Sequence, residues 1–441
     1  MFCYTKHMSQ IEPKILKGFR DFLPEQQIAR QKMITTIKTS YETFAFEPLE
    51  TPVLEYAEIL TGKYGDEGDK LMYRFKDNGD RDVAMRYDLT IPLARVVAMN
   101  GELKKPFKRY QVSPVWRAEN TQKGRFREFY QCDADIVGST SPLADAEILA
   151  LSATTMRKLG IRDFIIRVNS REIISAFYDS LGLSAEQKVQ AIRAVDKIDK
   201  IGREGVAEEL ARFGFSKETS ERIVSFAETS IDGIQNQQDL AKISELFPSI
   251  KEALGKLLII VEYAYDLAPD TKFIIDFSIA RGLDYYTGLI FETNLIKAPQ
   301  FGSIMSGGRY DNLVGMFLGK SVPAVGTSIG LDRLFAALEE LGLVTVEKST
   351  ARVLIVNFDA ALTNDYLTLA SNLRTAGINT MLYFDTADIK KQLSYASDKG
   401  IPYALLYGSN EAKEGVIVIK NLQEGTQKKV TFKDVVSAII C

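Results

Sequence analysis

The chain has one histidine, His7, and it falls in an irregular N-terminal stretch. A single imidazole outside any patterned element excludes a Ser-His-Asp or Cys-His catalytic group and a His-rich zinc site. Cysteine is scarce as well: Cys3, Cys132 and Cys441 form no C-x-x-C pair. Their odd number and wide spacing give no disulfide framework and point to a reducing compartment, so a cytoplasmic location is expected. Neither sign of charge is in large excess, with 55 Lys and Arg against 58 Asp and Glu. That balance excludes a uniform basic coat for non-specific nucleic-acid binding and leaves local basic patches open. No run approaches about 18 apolar residues, which argues against a membrane span. The start, MFCYTKHMSQ, lacks the apolar stretch of a signal peptide. Common nucleotide and metal signatures are missing too. Gly315 stands one residue too close to Gly319-Lys320-Ser321 for a P-loop, and neither G-x-G-x-x-G nor H-E-x-x-H occurs.

What is present is a chain of 441 residues, room for about three domains. Helical periodicity runs from Pro24 to Tyr41, with Pro24 suited to a first turn. LMYRFKDNGDRDVAMRYD reads as a hairpin turning at Asn78-Gly79. Residues 106–118 and 126–137 read as a second antiparallel pair joined by the polar ENTQKGR. Residues 142–159 read as a helix whose Asp145 and Glu147 suit its positive end. From about 171 to 267 the pattern is helical and charged, an insertion in a strand-rich frame. Strand character returns in KFIIDFS and LDYYTGLIFET. SGGRYD reads as a glycine-rich bend, and PAVGTSIGLDRLFAALEEL as a strand running into a helix. After 341–350 the apolar runs RVLIVNF, INTMLYF and PYALLYG alternate with helices, which implies a small, largely parallel α/β module. The expectation is an α+β fold: residues 1–340 on an antiparallel sheet with flanking helices and the 171–267 insertion, a linker at 341–350, and an α/β domain at 351–441.

Strand alternation singles out one sheet face. Gln131, Asp133 and Asp135 project together, and Cys132, Ala134 and Ile136 project oppositely. Arg117 and Glu119 share a face on the partner arm. Carboxylates suit an ammonium and arginine suits a phosphate or carboxylate, although cross-strand ion pairing on a solvated face explains the same pattern. RGLDYYTG (281–288) joins Arg281, Asp284 and Tyr286, a set that orients a polar small molecule or else enters a strand with core tyrosines. In SGGRYD (306–311), Arg309 and Tyr310 follow two glycines, which permit close backbone approach or a tight turn. Arg333 in GLDRL sits in the first helical turn, where the dipole disfavours it, so a second role or plain exposure must account for it. Asp88 and Thr90 in MRYDLT sit where a strand becomes a helix, as a cap or as a site.

Taken together these segments resemble the histidyl-tRNA synthetases, class II enzymes that activate histidine with ATP, over nearly the whole chain. KGFRDFLPEQ resembles the family's N-terminal signature, ETPVLEYAEIL its dimer-forming first class II motif, residues 107–138 the second and PAVGTSIGLDRL the third. RGLDYYTG and SGGRYD are similar to the two peptides peculiar to the family. The resemblance implies an antiparallel catalytic sheet, a helical insertion near the acceptor stem and a C-terminal anticodon-binding domain. It implies Arg117 and Arg281 as catalytic residues on the α-phosphate, with Arg117 also on the substrate carboxylate. Asp88, Thr90, Gln131 and Asp135 would hold the amino group of histidine, and Tyr285, Tyr286 and Tyr310 would surround its imidazole. Arg333 would brace the γ-phosphate, and Glu119 and Arg125 would contact ATP or the tRNA end. The implied partners are L-histidine, ATP with Mg²⁺, tRNA(His) and a second subunit of a homodimer, with no membrane. A non-catalytic regulatory subunit of histidine biosynthesis shares the catalytic fold. Such proteins typically lack the last domain and have eroded peptides, whereas both peptides and about 90 C-terminal residues are present here.

Overall fold

Long runs that alternate apolar and polar residues need neighbours on both edges, and they find them in a nine-stranded sheet. In the computed structural model, which describes residues 11–62, 65–232, 237–280 and 285–440, six of these strands are antiparallel neighbours. In spatial order they are Phe107–Trp116, Glu128–Val137, Ala324–Gly330, Ser303–Arg309, Leu289–Leu295 and Phe164–Ser170. The two-residue strand Glu47–Pro48 closes one edge in parallel; Phe273–Asp276 and then Ser230–Asp232 extend the other. The chain divides into two units, Met1–Arg20 with Met33–Leu343, and Asp21–Lys32 with Val344–Cys441. Residues 341–352 carry no helix or strand.

Register explains the burial. Cys132, Ala134 and Ile136 point to one side of Glu128–Val137 and are 0–2% exposed. Behind them lies the helix Pro142–Lys158, started by Ser141, whose side chain accepts from the Leu143 amide. Its apolar residues Ile148, Leu149, Leu151 and Met156 are fully buried. The helix Leu331–Glu340 follows directly from the strand Ala324–Gly330 and buries Leu331, Leu334, Phe335 and Leu338.

Four local readings change. The loop after Arg74–Lys76 spans five residues, and Asp80 (φ 57°) takes the left-handed conformation in place of Asn78-Gly79. The Asp77 carboxylate accepts from the amides of Gly79 and Arg81 and fixes that turn. SGGRYD is no bend: Ser306–Arg309 run straight through a central strand, because glycine there answers a steric need described below. Residues 285–288 form no strand, and pairing starts at Leu289. The 171–267 segment is less separate than its charge suggests. It contributes the strand Ser230–Asp232 to the sheet, and its last helix, Lys251–Leu267, packs on Pro142–Lys158. The strand Phe164–Ser170 just before it does not stand out in the sequence, because it lies between two helical patterns.

The second unit holds a five-stranded sheet. Thr380–Leu382, Val353–Ile355 and Tyr403–Leu406 are parallel, as their alternation with helices predicts. Val416–Asn421 and Gln427–Thr431 then add antiparallel, which makes the sheet mixed. Tyr366, Leu369 and Leu373 from the helix Thr363–Thr375 cover it. No described helix is long and apolar enough to cross a membrane.

Candidate active site

The sheet face opposite Cys132 and Ala134 floors a cleft of about 1240 Å³ in the larger unit. Of the residues singled out from the sequence, it is lined by Asp88, Thr90, Arg117, Glu119, Arg125, Gln131, Asp133, Asp135, Tyr285, Tyr286, Tyr310 and Arg333. Arg281 and Asp284 lie outside the described residues, as does His7.

One end of the cleft is deep and polar. Asp88 is buried just before the helix Thr90–Met99, and its Oδ1 accepts from the amides of Thr90 and Ile91. It is therefore a helix-capping group and a cleft residue at once. Asp135 is held on both oxygens: the Tyr310 hydroxyl donates to Oδ1 at 2.5 Å, and Nη2 of buried Arg109 lies 2.7 Å from Oδ2. Asp133 faces the same space. Gln131 donates its amide to Ser328 at 2.9 Å, and Ser328 in turn hydrogen-bonds Asp133. Burial pushes the Asp133 carboxyl up to about 7, opposed by Arg109 and reinforced by Asp135 and Asp88. Burial raises Asp135 as well, against Arg109 and Tyr310. Tyr285, Tyr286 and Tyr310 form an edge-to-face group, with centroids 5.1 and 5.7 Å apart. Burial keeps all three phenols neutral, with pKa values above the usual tyrosine range.

Gly326 and Gly308, paired across the sheet on the face of Asp135, set the size of this end. A Cβ on Gly326 would lie 1.9 Å from Asp135 Oδ1, and one on Gly308 would meet Tyr286 ring carbons at 2.9–3.0 Å. Gly307, paired with Thr327 on the face of Ala134, would set its Cβ 2.1 Å from the Gly326 carbonyl oxygen. Adjacent strands and a tyrosine ring thus occupy the space that side chains would need.

The other end is basic and more open. The strand Phe107–Trp116 stops one residue short of Arg117, so Arg117 and Glu119 are loop residues instead of sharing a strand face. The Arg117 Nε donates to the Tyr87 carbonyl at 3.1 Å, and its guanidinium lies over the rings of Tyr87 and Phe129 at 4.4 and 5.2 Å. Arg333, in the first turn of its helix, donates to the Ser303 carbonyl at 2.8 Å. Arg125 stands 3.8 Å from Glu119. Lys123 also lines the cleft and pairs with Glu340. One anticipated group acts elsewhere: Arg309 is a tie between elements, bound to Asp145 at 2.6 Å and to the Ser139 carbonyl at 2.9 Å. Asp145 is therefore an ion-pair partner as well as a first-turn acid.

Sequence inspection misses Arg109. Its signal is the register Arg109↔Asp135 and Gln111↔Asp133, which becomes readable only once the two arms are aligned.

An antiparallel sheet with a buried acidic subsite beside an arginine-rich cleft, followed by a separate α/β unit, is the arrangement of a class II aminoacyl-tRNA synthetase. The family model for histidyl-tRNA synthetase matches residues 18–334, and that for the anticodon binding domain matches 350–441. A histidine–tRNA ligase of Rhodopirellula baltica is 43% identical over 96% of this chain and 96% of its own length. One from Wolinella succinogenes is 42% identical over 96% and 97%. The crystal structure of histidyl-tRNA synthetase from Nostoc sp. PCC 7120 superposes with a TM-score of 0.88 at 35% identity, covering 98% of this chain and 99% of that one. A Bacillus halodurans structure titled as an ATP phosphoribosyltransferase regulatory subunit/histidyl-tRNA synthetase shares the fold, with a TM-score of 0.74 at 21% identity over 88% and 97%. The chain belongs to the histidyl-tRNA synthetase family.

Proposed function

We propose that the protein is a histidine–tRNA ligase, which joins L-histidine to ATP as histidyl-adenylate and then to the 3′ end of tRNA(His). The observation that carries this reading is the single cleft that pairs a buried acidic and tyrosine-walled subsite with Arg117 and Arg333. Histidine's ammonium and ring suit the first end, and the phosphates of ATP suit the second. In the first step a substrate carboxylate oxygen bonds to the α-phosphorus as the bond to the bridging oxygen breaks and pyrophosphate leaves. In the second, the terminal ribose hydroxyl of the tRNA attacks the acyl carbon, AMP leaves, and the hydroxyl proton is released. Both steps need alignment and charge compensation more than a protein base. We assign that compensation to Arg117, fixed by the Tyr87 carbonyl and two ring faces, and to Arg281. Arg333 braces the γ-phosphate, and Glu119 and Arg125 meet ATP or the tRNA end.

Asp88, Thr90, Gln131 and Asp135 take the amino group, and Tyr285, Tyr286 and Tyr310 take the imidazole. A site built from buried hydrogen-bonding groups rejects substitutes that leave them unpaired. Mg²⁺ enters as the ATP complex; among the described residues no three His, Cys, Asp or Glu side chains cluster to hold a metal. The catalytic part is assigned to residues 1–340 and anticodon binding to 351–441, joined by 341–350. The first-motif segment at 50–60 supports a homodimer, and the cysteine spacing supports a cytoplasmic setting. A regulatory role without catalysis is disfavoured by the full-length likeness to ligases.

The test is aminoacylation of total tRNA with labelled histidine, together with ATP–pyrophosphate exchange for each amino acid alone. Exchange with histidine only is expected. Exchange near the wild-type rate in Arg281→Ala would remove that residue from the mechanism.

A further inference from the structure

The acidic end of the cleft holds three carboxylates, and they are not equivalent. Asp88 is engaged by two backbone amides; Asp135 takes the Tyr310 hydroxyl on Oδ1, and its Oδ2, though without a hydrogen-bond partner, has Arg109 Nη2 2.7 Å away as an ion-pair partner. Asp133 is 2% exposed and keeps Oδ1 without a hydrogen-bond partner. Two residues along the same strand face, Gln131 is 8% exposed and keeps Oε1 without a partner. Ser328 explains why these two oxygens stand bare. It accepts the Gln131 amide and donates to Asp133, so each side chain spends one end on Ser328 and keeps a buried acceptor among the residues that line the cleft. Two adjacent buried acceptors, one of them a carboxylate, leave an unmet demand for a cation with several N–H donors.

We propose that Asp133 is a specificity-determining residue that binds the α-ammonium of the amino acid jointly with Gln131. This rests on the histidine-activating reading and adds to it a residue with no role in that assignment. The charged and titratable groups facing Asp133 are Arg109 from the neighbouring strand, Asp135 from its own, Asp88 from the start of the helix Thr90–Met99, Tyr285 and Tyr286 from the loop, and Tyr41 from behind the sheet. Arg109, 2.7 Å from Asp135, offsets only part of the cost of burying ionised Asp133, and an incoming ammonium supplies further compensation.

The experiment compares wild type with Asp133→Asn in the full-length protein, using two histidine analogues. Histidinol keeps the ammonium and replaces the carboxylate by an alcohol; imidazolepropionate keeps the carboxylate and lacks the amino group. A charge-assisted hydrogen bond is worth about 1.5–3 kcal/mol, so histidinol binding is expected to weaken about 10- to 100-fold. Imidazolepropionate and ATP should bind within about threefold of wild type, which also reports an intact fold. The gap for histidinol should narrow as the pH falls below about 7, where wild-type Asp133 is itself neutral. Equal weakening of both analogues, an unchanged histidinol affinity, or a gap independent of pH would overturn the proposal. Absence of any histidinol binding by wild type would instead overturn the histidine-activating reading beneath it.

Discussion

Arg109 and Asp135 face each other across two antiparallel strands, Nη2 to Oδ2 at 2.7 Å, with neither side chain more than 4% exposed. The pair is at once part of the sheet's core and the wall of the substrate cleft. Removing one partner strands a buried charge, whereas removing both does not. Arg109→Leu is therefore expected to lose about 3–5 kcal/mol of stability, measured as a shift in the urea midpoint. Arg109→Leu combined with Asp135→Leu should recover most of that loss while histidine-dependent pyrophosphate exchange stays abolished. A double variant no more stable than the single one would contradict this account.

Gly326 is where the sheet leaves no room. A methyl group there would meet Asp135 Oδ1 at 1.9 Å, and overpacking of this kind costs about 1–3 kcal/mol. Gly326→Ala should raise the KM for histidine about 5- to 100-fold while the KM for ATP stays near wild type. Steady-state pyrophosphate exchange at varied histidine and then at varied ATP separates the two.

Arg117 is half-buried, with its guanidinium held by a carbonyl and two rings. Its removal deletes a preorganised positive charge, a change that costs about 10²–10³ in rate at comparable sites. Arg117→Ala should slow adenylate formation by that order in single-turnover measurements, with thermal unfolding almost unchanged. A rate within tenfold of wild type would assign the charge compensation to other residues.

Asp133 also gives stability a pH dependence of known sign. Its folded-state pKa, about 7, lies above the unfolded value of about 3.9, so the folded chain binds more protons than the unfolded chain between those limits. Its contribution is fully present below about pH 4 and is lost as pH rises through about 7. Asp135 is raised in the same direction. Asp133→Asn is expected to be more stable than wild type at pH 8, with the advantage disappearing toward pH 4. Urea unfolding at several pH values checks it, and an advantage that grows on acidification would reverse the assignment.

Much of this architecture is legible before any coordinates. Period-two alternation places Gln131, Asp133 and Asp135 on one face because a strand leaves no other choice, and the helix after Gly330 follows from its amphipathic pattern. Parallel strands of the second unit announce themselves as apolar runs between helices. The failures have physical causes too. SGGRYD reads as a bend because glycine usually signals turning, yet Gly307 is required by the approach of the neighbouring strand, which is a tertiary fact. Arg109 is invisible as a site residue because its meaning lies in a partner 26 positions away across a register. Arg309 stands beside Tyr310 in the sequence and on the same strand end, but it turns to Asp145 and away from the cleft.

The glycines at 307 and 326 make the innermost wall of the cleft out of main chain. Substitution can add atoms to such a wall but has nothing to trim from it. Shortening a tyrosine or Asp135 widens the pocket elsewhere, but this stretch of wall can recede only if the strands themselves separate. On that side the shape of the pocket is held by the sheet's hydrogen bonds and is closed to gradual change.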